Sequence, residues 1–222
     1  MSLDTLIPPR AMSPIDATDV GAARRVAGSA TVHWWRVYWE DVRRYQSIEH
    51  GSALKLLLLK QGLWALLQYR AAAALYTSSI PKRLKDVLLV PFIVWRKVIE
   101  ILTGIHLPHA AVIDAGLYVG HYGNIFVNPA AIIGKNCNLA QGVTLGVAGE
   151  GELRGAPILG NDVHAGPNAV IAGRVRVGDH AMIGASSLVL SDVPPYAVVV
   201  GVPARVLGSR RLESPAPSRA AM

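Results

Sequence analysis

From Leu107 to Val189 an aliphatic or small residue returns at every sixth position: Leu107, Ile113, Val119, Val127, Ile133, Leu139, Leu145, Leu159, Ala165, Ile171, Val177, Ile183 and Val189. Many of these positions are followed by Gly, Asn, Asp or Ala. A period of six matches neither an amphipathic helix nor an alternating strand. It is the period of a parallel β-helix. Each hexapeptide forms one side of a triangular coil, its aliphatic residue points into the shaft, and a small residue turns the corner. Two gaps interrupt the beat. Eight residues separate Val119 from Val127, around Gly120-His121-Tyr122-Gly123-Asn124, and fourteen separate Leu145 from Leu159, spanning Val147 to Pro157. Extra residues at a corner must bulge out of the prism, so these gaps are where chemistry is expected.

Upstream, the periodicity becomes helical. Trp34, Trp35, Tyr38, Trp39, Val42 and Tyr45 recur at three and four, as do Leu56, Leu59, Leu63, Leu66 and Leu67. The aromatic run is read as core or subunit packing, because Glu40 and Asp41 interrupt its basic face. Pro81 is expected to open a helix, and Pro91 to start, kink or interrupt one. The pattern divides the chain into a disordered arm (1–30), a helical cap (31–103), a β-helix domain (104–208) and a disordered tail (209–222), an α+β architecture. Pro194-Pro195 is expected to end the coils, with a last strand and turn after them.

Composition narrows the partners. The chain has 222 residues, 51% of them hydrophobic, enough for a sizeable core. Lys and Arg exceed Asp and Glu by 22 to 15, a net charge of +7 that favours anionic partners. No zinc-finger, RNP or recognition-helix pattern accompanies that charge, so nucleic acid is not expected. The apolar runs at Leu56–Leu59 and Val87–Trp95 are shorter than the roughly 20 residues a bilayer span requires. Peripheral membrane contact remains open. No signal-peptide pattern is visible and Cys137 is the single cysteine, which points to a reducing, cytoplasmic setting and to a packed thiol. No CxxC, HxH or HExxH spacing suggests a metal.

His121 is the candidate catalytic residue. Gly120 and Gly123 let the backbone project its side chain, and an imidazole titrating near neutral pH can take a proton from an attacking hydroxyl. Tyr122 and Asn124 flank it as candidate substrate contacts. The second gap, Gly146-Val-Ala-Gly-Glu-Gly-Glu-Leu-Arg-Gly-Ala-Pro157, reads as a Gly-rich lid carrying Arg154, which could meet a phosphate.

These motifs in order, Gly104-Ile-His-Leu-Pro-His-Ala-Ala, Gly120-His-Tyr-Gly-Asn-Ile, Gln141-Gly-Val-Thr-Leu-Gly146 and Gly201-Val-Pro-Ala-Arg205, resemble the serine acetyltransferase branch of the hexapeptide-repeat acyltransferases. Asp41-Val-Arg-Arg-Tyr and Leu67-Gln-Tyr-Arg70 extend the resemblance loosely into the cap. It implies a left-handed β-helix, homotrimers or dimers of trimers, and acetyl-CoA lying between neighbouring coils. It makes His121 the general base. Backbone amides near Gly146, Ala165, Gly166 and Ala185 would hold the pantetheine arm, and Arg205 would sit near the nucleotide phosphates. Three positions depart from the family pattern. Gly120 stands where an Asp usually precedes the base, Ala156 where the lid carries His, and His106 where an Asp would orient the base. The departures fall on the acceptor side. The expectation is therefore an acetyl-CoA-dependent O-acetyltransferase acting on a saccharide or related small acceptor, akin to polysaccharide-associated enzymes. Serine O-acetylation is the alternative, and a non-catalytic trimeric scaffold or CoA-binding protein the second.

Overall fold

A computed structural model describes residues 34–150 and 154–209. The expected arm lies outside the described residues, as does the expected tail except for Ser209. Four helices come first: α1 (Trp34–Glu49), α2 (Ala53–Leu59), α3 (Gln61–Thr77) and α4 (Lys82–Thr103). Ser52 caps α2, its hydroxyl accepting from the Lys55 amide. Pro91 lies inside α4, which runs unbroken through it. Gly104 ends α4 in the left-handed region at φ 66°, the conformation glycine adopts without a Cβ penalty.

The chain then cycles through three parallel sheets. The first holds Ile105–His106, Ile125–Val127, Thr144–Gly146, Val170–Ala172 and Leu188–Val189. The second holds Val112–Ile113, Ile132–Ile133, Ile158–Leu159 and Arg176–Val177. The third holds Tyr118–Val119, Asn138–Leu139, His164–Ala165 and Met182–Ile183, and is extended by Ala197–Gly201 and the antiparallel Ala204–Ser209. Helices followed by a three-faced coil of this kind agree with the expected left-handed β-helix of hexapeptide repeats.

All thirteen residues of the six-residue beat are buried, none more than 5% exposed. Twelve of them, all but Leu107, stack in register as three inner ladders: Val127 on Leu145 on Ile171 on Val189, Ile113 on Ile133 on Leu159 on Val177, and Val119 on Leu139 on Ala165 on Ile183. The eight- and fourteen-residue gaps leave this phase intact, so both insertions are absorbed at corners. A second buried series lies two residues before each beat, including Leu117, Ala131, Cys137, Val143, Val163 and Ala169. Cys137 is therefore a rung of the shaft. Burial, only partly offset by a backbone hydrogen bond at Val163, pushes its thiol up to about 12, which keeps it protonated and unreactive.

The first coil has an open edge that the cap closes with side chains. The Tyr45 hydroxyl donates to the Val119 carbonyl and accepts from the Val119 amide, both at 2.9 Å. Tyr69 does the same one face away, donating to Ala111 O at 2.9 Å and accepting from Ile113 N at 3.0 Å. Buried Arg70 donates to the carbonyls of Ile113 and Asp114 and pairs with buried Asp41, which accepts from the Gly116 amide at 2.7 Å. These groups replace the missing coil below, which is how a sheet edge is kept from remaining unpaired.

One expectation changes here. Pro194-Pro195 does not end the coil: Ala197–Gly201 pairs in parallel with Met182–Ile183, since the prolines fall in a corner whose flanking amides, Val193 and Tyr196, still donate to the coil below. In the aromatic run, Tyr38, Val42 and Tyr45 are buried, but Trp35 and Trp39 face outward at 48% and 40% exposure, because a helix lying on one surface buries only one stripe.

Candidate functional site

The first interruption leaves the third sheet after Val119 and enters the first at Ile125, so its corner points away from the shaft beside the cap. It is pinned at Gly123, whose amide donates to the Thr103 carbonyl at the end of α4 and whose carbonyl accepts from the Gly142 amide, both at 3.1 Å. Gly104 packs against it so closely that a Cβ there would lie 2.9 Å from the Asn124 nitrogen. Asn124 itself sits in the left-handed region at φ 54°. His121 and Tyr122 are exposed at the lip of a cleft of about 460 Å³ between this corner and the cap.

The opposite wall carries Glu49, Lys55 and Lys60, with Gly62 and Gly120 at the floor. Glu49 Oε1 accepts from the Tyr118 hydroxyl at 2.6 Å and from Lys60 Nζ at 2.7 Å. Those two hydrogen bonds, Lys60 first, hold the Glu49 carboxyl below the usual range, and His121 adds a favourable electrostatic contribution. Burial and then the bond to Glu49 push the Tyr118 phenol up, so it remains a donor. The cleft thus combines an imidazole with a carboxylate and an ammonium that are already joined to each other, the carboxylate also holding the Tyr118 phenol. Sequence reading missed Glu49, seventy-two positions before His121. One signal was present: an acidic residue in the last turn of a helix opposes the helix dipole and calls for a compensating partner.

Two of the three departures from the family pattern, Gly120 and His106, sit in packed surroundings. A Cβ at Gly120 would lie 2.8 Å from Tyr118 Cε1, so the Tyr118 ring takes the space beside His121. His106 Nδ1 meets Glu100 of α4 at 2.6 Å, and its ring stacks on Phe126 of the next coil at 4.8 Å. Burial would raise the Glu100 carboxyl, but hydrogen bonds from Lys97 and His106 outweigh it and hold it low.

The other predicted residues divide between two edges of the prism. Gly166 and Ala185 turn the same edge as His121, two and three coils along, roughly 10 and 14 Å at the coil spacing. Ala185 is exposed. The Ala165 methyl is fully buried in the third ladder, so only its backbone can face a ligand. The Gly166 amide already donates to Ile183 O at 2.8 Å, so this amide, expected to hold a ligand arm, is used between coils. Arg205 lies exposed in the hairpin that closes the third sheet, its guanidinium bonded to Ala204 O at 3.0 Å. Gly146 and Arg154 belong to the next edge, between the first and second sheets. The expected lid is pinched at its neck by an antiparallel bridge between Ala148 and Gly155, which constrains a loop expected to be free; its tip, 151–153, lies outside the described residues. Arg154 is exposed and Ala156 partly buried. Among the described residues, no group of three His, Cys, Asp or Glu side chains could hold a metal ion.

Comparison with known proteins gives a consistent picture. The family model "Bacterial transferase hexapeptide (six repeats)" matches residues 156–191. A serine acetyltransferase of Synechococcus elongatus is 33% identical over 156 residues, 70% of this chain and 61% of that protein. That of Bacillus subtilis is 34% identical over 156 residues, 70% of this chain and 68% of that protein. The chain thus spans less than two thirds of the Synechococcus relative. Among solved structures, the Neisseria gonorrhoeae serine acetyltransferase in complex with serine superimposes with a TM-score of 0.68 at 29% identity, covering 87% of this chain and 77% of that one. A serine acetyltransferase in complex with CoA gives 0.67 at 26% identity, covering 85% and 74%.

Proposed function

Because the chain belongs to the serine acetyltransferase family of hexapeptide-repeat transferases, we propose that it is an acetyl-CoA-dependent O-acetyltransferase with His121 as general base. The observation that carries this reading is the projecting corner. The insertion that puts His121 outside the shaft is anchored at Gly123 and opens on a polar cleft, while the edge above it runs past Gly166 and Ala185 toward Arg205. An extended thioester arm can lie along such an edge with its phosphates toward the guanidinium. Transfer is direct. The imidazole takes the proton of the acceptor hydroxyl, the oxygen attacks the thioester carbonyl, the C–S bond breaks, and the imidazolium returns the proton to the leaving thiolate. Tyr122, Asn124 and Arg154 are assigned to the acceptor side and the lid.

Serine is the acceptor favoured here, in place of the saccharide expected from sequence. The relatives bear the name serine acetyltransferase, and one solved relative holds serine. A saccharide remains the second reading on one observation: Glu49, the carboxylate of the cleft, is already engaged by Lys60 and Tyr118, so an acceptor ammonium would have to compete for it.

The two interrupted edges are separated by one face of the prism, roughly 13–16 Å for four or five extended residues. A neighbouring copy packed edge to edge in a trimer would bring its Arg154 corner against this His121 corner. Thiol release from acetyl-CoA with serine and a panel of sugars tests the whole reading. Turnover with serine that is lost in His121→Asn supports it. Turnover with sugars alone reverses the acceptor, and no turnover with either class leaves the scaffold alternative standing.

A further inference from the structure

Helix α4 carries an outward face that no other described element covers. Leu89, Ile99 and Thr103 form its buried side, against the rest of the cap and the first coil. On the opposite side Leu84, Val87, Val94, Val98 and Ile101 follow one another at spacings of three, seven, four and three, an i, i+3, i+7 stripe along the whole 22-residue helix. Their exposures run from 47% to 78%, and Val90 adds 55% on the same arc. Scattered exposed aliphatics are ordinary, but a continuous stripe of this length, widened by exposed Leu88, Ile93 and Leu102, marks a contact surface.

Charge indicates which surface it meets. Lys82 and Arg83 are exposed in the first turn, and Lys97 lies at the border of the stripe, 62% exposed, on a stem long enough to reach away from an apolar layer. Asp86 and Glu100 are the acids of this helix, and Glu100 is engaged by Lys97, Arg96 and His106. The whole chain carries +7. No helix among the described residues is long and apolar enough to cross a membrane. An aliphatic face with cations at its first turn and along one border, on a helix unsuited to spanning, is the pattern of a helix lying in the plane of an anionic bilayer surface. A second copy of the chain fits less well, because its apposed α4 would carry the same excess of cations.

We propose that α4 docks the protein on anionic lipid, with the Leu84–Ile101 stripe in the interface and Lys82, Arg83 and Lys97 at the headgroups. The proposal is independent of the acceptor and of catalysis. It is tested by cosedimentation of the full chain with phosphatidylglycerol and phosphatidylcholine vesicles, alongside light scattering of wild type and Val94→Glu/Ile101→Glu. The wild type should partition into phosphatidylglycerol vesicles about tenfold or more better than into phosphatidylcholine, and less in high salt. The double variant should stay in the supernatant with an unchanged oligomer mass and helical circular dichroism. Equal partition into both lipids, or none into either, overturns the proposal. So does a double variant whose oligomer mass falls, since the stripe would then be covered by another copy.

Discussion

Tyr45→Phe removes one oxygen and leaves the ring in place. That oxygen sits 2.9 Å from both the amide and the carbonyl of Val119, so the substitution strands two buried backbone groups at the open edge of the first coil. Burial is what pushes this phenol up, so it is a neutral donor at every working pH. An orphaned buried group costs about 1–3 kcal/mol. The floor of the cleft at Gly62 adjoins this hydroxyl and would admit water to part of the gap, which favours the lower half of the range for each group. The expected loss is about 2–4 kcal/mol. At about 2–4 °C per kcal/mol for a chain of this size, Tm should fall by roughly 4–16 °C, measured by calorimetry at fixed protein concentration. Because Val119 leads directly into Gly120 and His121, acetyl transfer should fall as well. A variant within about 2 °C of wild type would refute the assignment of Tyr45 as the closing partner of the coil.

Further outcomes follow from the same contacts. His121→Asn should lower kcat by about 10²–10⁴-fold while leaving acetyl-CoA affinity measured by calorimetry within a few-fold of wild type. Gly104→Ala forces a Cβ into the left-handed region 2.9 Å from the Asn124 nitrogen, so it should cost about 1–3 kcal/mol and shift the His121 corner, read as a lower Tm together with lower kcat. Glu49 is held below the usual carboxyl range in the folded chain, so its contribution to stability is present above that range and is lost as the pH falls through its folded value. Glu49→Gln should therefore flatten the drop in Tm on acidification below about pH 4.5, and a profile that keeps the wild-type drop would contradict the Lys60 and Tyr118 assignment. Cys137, with its thiol pushed up to about 12, should resist a thiol reagent at pH 8 in the native protein and react on unfolding.

Periodicity is legible in sequence because a β-helix repeats one local solution. Each coil asks the same of its sixth residue, and all thirteen predicted positions prove buried. The interruptions were legible for the same reason, and with them His121. The second inner series was not, because Ala, Cys, Val and Leu share those positions without a uniform signature. Nor was the continuation past Pro194-Pro195, where prolines that would break a strand occupy a corner. The companions of His121 were hidden for a different reason. Glu49 ends one helix and Lys60 sits at the junction between the next two, and nothing local to Trp34–Glu49 states which coil corner it will face.

What the sequence by itself determined is the repeat, its phase, the two corners that break it and the helical character of the cap, all consequences of short-range periodicity and of which residues tolerate a turn. Tertiary structure alone decided what closes the open coil and what stands opposite the imidazole. Tyr45, Tyr69, Arg70 and Asp41 meet backbone groups between 42 and 75 positions away, and Glu49 meets Tyr118 at a separation of 69. Such pairings carry no period. They are fixed by the way a packed cap satisfies the hydrogen bonds that the end of a coil leaves unmade.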